Sequence, residues 1–496
     1  MDFPPVVRHG NSDSPEINRE VNALNKPTKW LVVVPLMISI LGLSACGGAS
    51  GGDTGEVDKK PQGEKELVSR SAPVPEWADQ AVMYEVNVRQ YTKEGTFRAF
   101  AEHLPRLKEL GVDILWLMPI HPISEVKRNG SLGSYYAVRD YKAVNPEFGT
   151  EEDFRALMKE AHDLGFKVVL DWVANHTGWD HEWLGNPGWY TTDEAGNVVQ
   201  PPGTNWSDVA DLNFDNSEMR AAMLDAMEYW VEEFDVDGYR CDYAGGVPAD
   251  FWEEARMSLE QLKPVYMLAE DDQQIKLLSY AFNANYGWQF YNLMNSIAKG
   301  QGQNHEEQVL RYGERLTTGY PSGTYPLHFT SNHDENSWTG TEYERLGEAV
   351  KPMAVLTFTM PGMPLIYSGQ EAGLNKRLQF FEKDEIVWDD LVLQDFYREL
   401  IGLKHEHPAL WNGKAGGTFE RLESEREPVL AFARKKEGST VIVVMNLSEE
   451  AIQGKIQTEP LAGAYSSFPD GAPVSLGAEL TVELEPWEYL IYTQAE

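Results

Sequence analysis

A chain of 496 residues, 42% hydrophobic and 24% charged, exceeds one ordinary domain and has enough apolar residues for a sizeable core, which excludes disorder over most of its length. Its 78 acidic residues against 42 basic ones leave a net charge of −36, which repels phosphate backbones and excludes nucleic acid as an expected partner. Only two cysteines occur, Cys46 and Cys241, in unlike contexts, which excludes a disulfide framework.

At the start of the chain, Lys26 and Lys29 precede an apolar run from Trp30 to Leu43. The run is too short for a comfortable transmembrane helix. It ends Leu43-Ser44-Ala45-Cys46 and is followed by Gly47 and Gly48. A basic flank, a short apolar segment and small residues before a cysteine resemble a bacterial lipoprotein signal. Residues 1–46 are therefore expected to be a signal segment, with Cys46 the lipid anchor that holds the protein to a membrane of the cell envelope. An uncleaved anchor, or a signal cut without lipidation, is the alternative. Residues 47–71 are rich in Gly, Lys and Glu and poor in apolar residues, so they are expected to form a flexible tether.

Beyond Ala81, short apolar runs alternate with amphipathic helical stretches, the pattern of repeated βα units around a parallel sheet. Candidate strands are Val82–Val88, Asp113–Met118, Lys167–Asp171, Asp237–Asp242, Val265–Glu270, Ala281–Ala284, Pro326–Ser331 and Pro364–Ser368. Helical patterns between them include Phe97–Leu110, Glu151–Leu164, Ser217–Phe234 and Arg345–Thr359. This count predicts a closed (β/α)₈ barrel over residues 72–410. The connection after the third strand is long and rich in Trp, Gly, Pro and Asn, so residues 175–216 are expected to form a small inserted domain over the barrel mouth. Trp179 to Trp189 in that insertion are candidates to stack on sugar rings; burial in the core is the competing reading. Residues 416–496 change pattern, with strands at Val429–Ala433, Thr440–Leu447, Leu480–Leu484 and Tyr489–Tyr492, and predict a C-terminal antiparallel β-sandwich.

Polar residues end the apolar barrel strands. The third runs into Asp171, Asn175 and His176, the fourth into Arg240, Cys241 and Asp242, the fifth into Glu270, and the seventh into His333 and Asp334. Barrel enzymes carry their chemistry at these ends, so acids and histidines are expected to converge at one mouth. Cleavage of a glycosidic bond with retention needs one ionised carboxylate and one protonated carboxyl, and Asp242 and Glu270, on adjacent strands, suit that pair. Arg240 shares a strand face with Asp242, and its charge is expected to keep Asp242 ionised, while apolar packing raises the pKa of Glu270. Cys241 is expected to face away into inert core.

These stretches resemble the four signature regions of the α-amylase family of glycoside hydrolases, and the resemblance runs from about Val82 to Pro408. It also takes in Gly111–Pro119, Asp211-Leu212-Asn213 and Gly362–Glu371. The resemblance implies Asp242 as nucleophile, Glu270 as general acid/base and Asp334 as transition-state stabiliser. It further implies His176, His333 and Arg240 as sugar-binding residues, with Tyr136 stacking beneath the sugar, and an α-glucan or maltooligosaccharide as substrate. An α-glucosidase, a debranching enzyme and a transglycosylase share these carboxylates and stay open, as does a non-catalytic amylase-like binding subunit. No cofactor is implied for the chemistry. Many family members carry Lys-His three and four residues after the nucleophile, at an aglycone subsite and a calcium site; here those positions are Gly245 and Gly246. Asn175 and Asp211 match two oxygen ligands of that calcium site.

Overall fold

The structure, a computed structural model, describes residues 72–495; the expected signal, Cys46 and the tether lie outside the described residues. Ten strands come first: β1 (Met83–Val86), β2 (Ile114–Leu117), β3 (Lys167–Trp172), β4 (His176–Gly178), β5 (Val209–Asp211), β6 (Gly238–Cys241), β7 (Tyr266–Ala269), β8 (Ala284–Tyr286), β9 (Tyr325–His328) and β10 (Met363–Tyr367). Leaving out β4 and β5, which pair with each other, the other eight close a barrel in the order β1-β10-β9-β8-β7-β6-β3-β2, and every neighbouring pair is parallel. Strands covered on both faces read as nearly continuous apolar runs, which is why all but the sixth barrel strand were visible as such.

The alternation of side chains along these strands builds the site. One inward layer is apolar and includes Met83, Ile114, Val169, Tyr266 and Met363. One step of two residues toward the mouth, the inward positions become Glu85, Trp116, Asp171 and Arg240, all buried. Asp171 and Arg240 are register partners across the β3–β6 pair. Cys241, pointing the other way, packs in the outer core with its thiol pushed well up by burial.

Three expected elements differ from those observed. The pattern at Phe97–Leu110 is two helices, Phe97–Ala101 and Leu104–Leu110, because Pro105 fits the first turn of a helix but not its interior. Arg345–Thr359 is likewise broken at Gly347, φ +55°, between the helices Glu342–Leu346 and Val350–Thr359. The sixth barrel strand starts at Ala284 rather than Ala281. Asn283, just before it, binds β7 through backbone and side chain alike: its N–H donates to the Met267 carbonyl at 2.8 Å, its Oδ1 accepts from Met267 N at 3.0 Å and Arg256 Nη1 at 2.9 Å, and its Nδ2 donates to the Pro73 carbonyl at 3.0 Å.

The insertion after β3 is held to the barrel by the β4–β5 pair, in which His176 faces Asp211. Ser217–Phe234, capped by the Asn216 side chain, leads back into β6. The C-terminal strands are β11 (Thr418–Arg421), β12 (Val429–Lys436), β13 (Ser439–Asn446), β14 (Ile452–Gln457), β15 (Gly463–Phe468), β16 (Pro473–Leu476), β17 (Glu479–Leu484) and β18 (Tyr489–Ala495). They form a six-stranded antiparallel sheet, β11-β12-β13-β18-β15-β16, and a two-stranded one, β14-β17. One face of β12 and β13, with Val429, Ala431, Ile442 and Val444, packs with Ile456 and Val482 of the small sheet. The other face, with Leu430, Phe432, Val441 and Val443, joins the same apolar cluster as the barrel helices.

Candidate active site

A cleft of about 690 Å³ opens at the carboxyl ends of the barrel strands, with Asp242, Glu270, Asp334, Tyr136 and His176 in its lining. These residues run from Tyr136 to Asp334 in the sequence, and the parallel barrel gathers them. Arg240 and His333 are 0% and 1% exposed and lie behind that lining.

Arg240 organises the floor. Its Nη1 donates to Asp171 Oδ1 at 2.8 Å and Asp242 Oδ1 at 3.0 Å, and its Nε donates to the Tyr286 hydroxyl at 3.1 Å. Nη2 lies 2.9 Å from Glu270 Oε1 in an ion pair whose angle makes no hydrogen bond. One guanidinium thus touches three carboxylates. Asp171 is fully buried, and its Oδ2 accepts from Tyr136 OH at 2.9 Å and Trp116 Nε1 at 3.2 Å. Asp171 thus holds Arg240 and Tyr136 in place from behind the cleft lining.

A second chain of contacts runs through His333. Its Nδ1 faces Glu85 Oε1 at 2.5 Å, and its Nε2 lies 2.8 Å from the Tyr136 hydroxyl and 3.2 Å from Asp334 Oδ2. Burial opposes charge on the imidazole, but Asp334 and Glu85 outweigh it and lift the His333 pKa well above the usual range. Burial alone would raise Asp334, yet the His333 charge and hydrogen bond, followed by Arg240, hold it below its ordinary value. Burial lowers His176 to about 3, with only a backbone hydrogen bond at Tyr136 opposing, so it stays neutral.

The two central carboxyls depart from expectation in one respect. Burial pushes Glu270 up to about 7, with Arg240 opposing and the charges of Asp242 and Asp334 adding to the rise. Asp242 is also raised, to about 6, because burial and the charges of Asp171 and Asp334 outweigh Arg240. Arg240 lowers Asp242 as expected, but burial and the facing acids, which that expectation left out, keep it above the ordinary carboxylate range. Both side chains keep a solvent-facing edge, 13% and 17% exposed, so water in the cleft offsets part of the rise.

Several lining residues were not anticipated. Tyr243 donates its backbone N–H to Glu270 Oε2 at 2.8 Å, and its ring lies edge-on to Trp206, 5.2 Å between centroids. On the opposite wall Phe380 stacks on Tyr136 at 17°, and Trp338, 54% exposed, leans on Phe380 at 5.3 Å. Trp338 follows Asp334 on a π-helical turn, Glu335–Thr339, a distortion frequent at functional sites. Glu85 was missed too, although an acid inside the apolar run Met83-Tyr84-Glu85-Val86 signals a buried partner. Trp179, Trp183 and Trp189 do not line the cleft: Trp183 is buried against Tyr141 and Trp189, and Trp179 carries Lys127 Nζ over its ring.

Asn175 and Asp211 come close through the β4–β5 pairing, but among the described residues no group of three or more His, Cys, Asp or Glu side chains surrounds a common point. A calcium ion there would draw most of its oxygen shell from carbonyls and water.

The model of the α-amylase catalytic domain matches residues 61–194 and 204–424 of this chain. The chain belongs to the α-amylase family of glycoside hydrolases. The model of the maltogenic amylase C-terminal domain matches residues 419–491, the β-sheet region. Among α-amylase family relatives, the α-amylase MalA of Haloarcula japonica is 30% identical over 426 residues, covering 81% of this chain and 60% of that protein. The maltogenic α-amylase of Bacillus acidopullulyticus is 28% identical over 397 residues, covering 72% of this chain and 64% of its own length. The chain thus spans under two thirds of either relative. A noncanonic maltogenic α-amylase, AmyB of Thermotoga neapolitana, superposes with a TM-score of 0.76 at 28% identity, over 84% of this chain and 99% of the other.

Proposed function

We propose that this protein hydrolyses α-1,4-glucosidic bonds of starch-like glucans or maltooligosaccharides by a retaining, two-carboxylate double displacement. The observation that carries the reading is the Arg240 guanidinium in contact with both Asp242 and Glu270. Carboxyls gathered on one cation suit the close spacing of about 5 Å used with retention better than the wider gap that admits a water. Glu270, pushed to about 7, keeps its proton near neutrality and gives it to the glycosidic oxygen as the bond to the leaving sugar breaks. Asp242, ionised above about 6, attacks the anomeric carbon and forms a glycosyl ester. Glu270, now a carboxylate, takes a proton from water, whose oxygen displaces Asp242. Asp334, ionised and 37% exposed, is the anion beside the developing positive charge. Tyr136 carries the sugar, and His333, tied to Glu85, fixes both Tyr136 and Asp334.

Product analysis tests the reading. Maltotriose, soluble starch and a cyclic maltodextrin are expected to yield α-anomeric maltooligosaccharides or glucose as first products. Release of the β-anomer, or reaction of pullulan only at its α-1,6 bonds, would overturn it, and a protein that binds maltotriose without cleaving it would be the non-catalytic subunit instead.

Two proposals concern features away from the chemistry. Calcium at Asn175 and Asp211 would be structural: EDTA is then expected to lower the melting temperature while activity persists below the transition, because only the folded state binds the ion. An unchanged melting temperature with no ion by elemental analysis removes it. The lipid anchor at Cys46 predicts that Cys46→Ser moves the protein from the membrane fraction to the soluble fraction. No helix among the described residues is long and apolar enough to cross a membrane; retention of the variant in the membrane fraction sinks the proposal.

A further inference from the structure

Immediately after Asp242 the backbone turns in a way that the catalytic roles do not require. Tyr243 sits in the left-handed region, φ +42° and ψ +47°, where a bulky side chain is disfavoured. Such strain persists only where the surroundings impose it and is concentrated at functional sites. Gly245 and Gly246 follow. A methyl group at Gly246 would come within 2.3 Å of Tyr243 Cε1 and 2.4 Å of Cδ1, so the tyrosine ring rests directly on the glycine. At Gly245 a methyl group would meet Asp271 Oδ2 at 2.3 Å and Gln274 Nε2 at 2.6 Å, and Gln274 Nε2 instead donates to the Gly245 carbonyl at 2.8 Å. The two glycines therefore let the ring lie down and let the segment after Glu270 close against it. The ring stays 39% exposed, lines the cleft, and meets the edge of the half-buried Trp206.

The position of this aromatic pair relative to the acid fixes which sugar it faces. The N–H of Tyr243 binds Glu270 Oε2, so the ring flanks the carboxyl that protonates the departing oxygen. Tyr136, Phe380 and Trp338 form the other wall, beside Asp334. We propose that Tyr243 and Trp206, seated by Gly245 and Gly246, form the binding wall for the leaving-group sugar, so that the enzyme selects substrates whose leaving group is itself a glucosyl unit. This rests on the glucan-hydrolase reading above and adds the residues that set its selectivity. An aromatic face is suited to the apolar face of a pyranose and indifferent to a leaving group that lacks a ring.

The test compares kcat/KM on maltotetraose, which expels a sugar, with kcat/KM on α-maltosyl fluoride, which expels fluoride. In Tyr243→Gly and Trp206→Ala the maltotetraose value is expected to fall about tenfold more than the fluoride value, the loss of roughly one stacking contact. Tyr243→Gly keeps the backbone N–H to Glu270 and suits the left-handed turn, so its folding is not at risk. Tyr243→Phe should restore the wild-type ratio, and Gly246→Val, which displaces the ring, should lower it. Equal losses on both substrates, or no loss on either, overturn the proposal. If the wild-type protein releases fluoride but does not cleave maltotetraose, the glucan reading fails while the carboxylate chemistry stands, and inactivity on both removes the two together.

Discussion

Asp242→Ala is expected to lower turnover on maltooligosaccharides by about 10⁴-fold or more while the protein stays folded and still binds substrate. Asp242 lines the cleft, so on the proposed mechanism its loss removes the attacking carboxylate without opening the apolar core. It also relieves a buried anion, since Asp242 lies close to Asp171 and Asp334 and is raised by both. The melting temperature should therefore hold or rise. Glu270→Gln should behave differently. It cannot protonate a leaving sugar, so hydrolysis of maltotriose should fall by about 10³-fold, whereas α-maltosyl fluoride, whose leaving group needs no proton, should still form the glycosyl ester with Asp242. A burst of fluoride followed by slow turnover would report that ester, because the variant also lacks the base for the second step. Equal inactivity of both variants on the fluoride would show that nucleophile and acid are wrongly assigned.

The second large effect is expected at Arg240. Arg240→Lys replaces a planar fork that reaches Asp171, Asp242, Glu270 and Tyr286 with a single ammonium that cannot span them. At least one buried carboxylate loses its partner, at a cost of about 3 kcal/mol in stability, and kcat/KM should fall by about 10²-fold or more. The pH profile carries the sharper signature. In the wild-type protein, activity needs Asp242 ionised and Glu270 protonated, so it should fall below about 6 and above about 7, as apparent values of the coupled cluster. Arg240 lowers both carboxyls. Its weakening should move the acid limb to higher pH, which is measured cleanly with α-maltosyl fluoride, because that substrate does not call on Glu270 as an acid in the first step. An acid limb that stays in place would mean that Arg240 does not control the ionisation of Asp242.

How much of this was legible in the sequence depends on the range of the interaction that decides each feature. Asp242, Glu270 and Asp334 were visible because each ends a short apolar run, and the barrel brings strand ends together whatever the details of packing. Asp171 and Arg240 end consecutive barrel strands of the sequence and meet as register partners of the β3–β6 pair. The upward pull on Asp242 was not legible for a related reason: the sequence displays Arg240 two residues away, but not the burial or the facing charges of Asp171 and Asp334. Tyr243, Trp206, Trp338 and Phe380 come from four separate loops, and only the folded backbone shows which aromatic rings face the cleft. The tryptophans of the insertion show the limit from the other side. Composition marked that loop as aromatic, yet Trp206 reaches the cleft while Trp183 is spent on packing against Tyr141. The start of β8 was hidden by Asn283 and Asn285, poor strand formers, although the Asn283 backbone and side chain both bind Met267.

The apolar cluster shared by the barrel helices and by β12 and β13 has a consequence for how the chain comes apart. Leu430, Phe432 and Val443 belong to the same continuous interior as Met353, Phe358 and Leu400 of the helices behind the barrel. The buried Arg434 of β12 donates to the Thr359 carbonyl at 2.9 Å, where a barrel helix ends, and Lys404 donates to the Leu410 carbonyl at 2.6 Å, in the connection to the sheet. Among the described residues neither cation has a carboxylate partner within ion-pair distance; each spends its hydrogen bonds on carbonyls at the join. Melting the sheet alone would strip water-free surface from the back of the barrel and strand those carbonyls, so barrel and sheet lose their structure in one cooperative step. The C-terminal sheet is in that sense the missing side of the barrel's own core rather than an appendage to it.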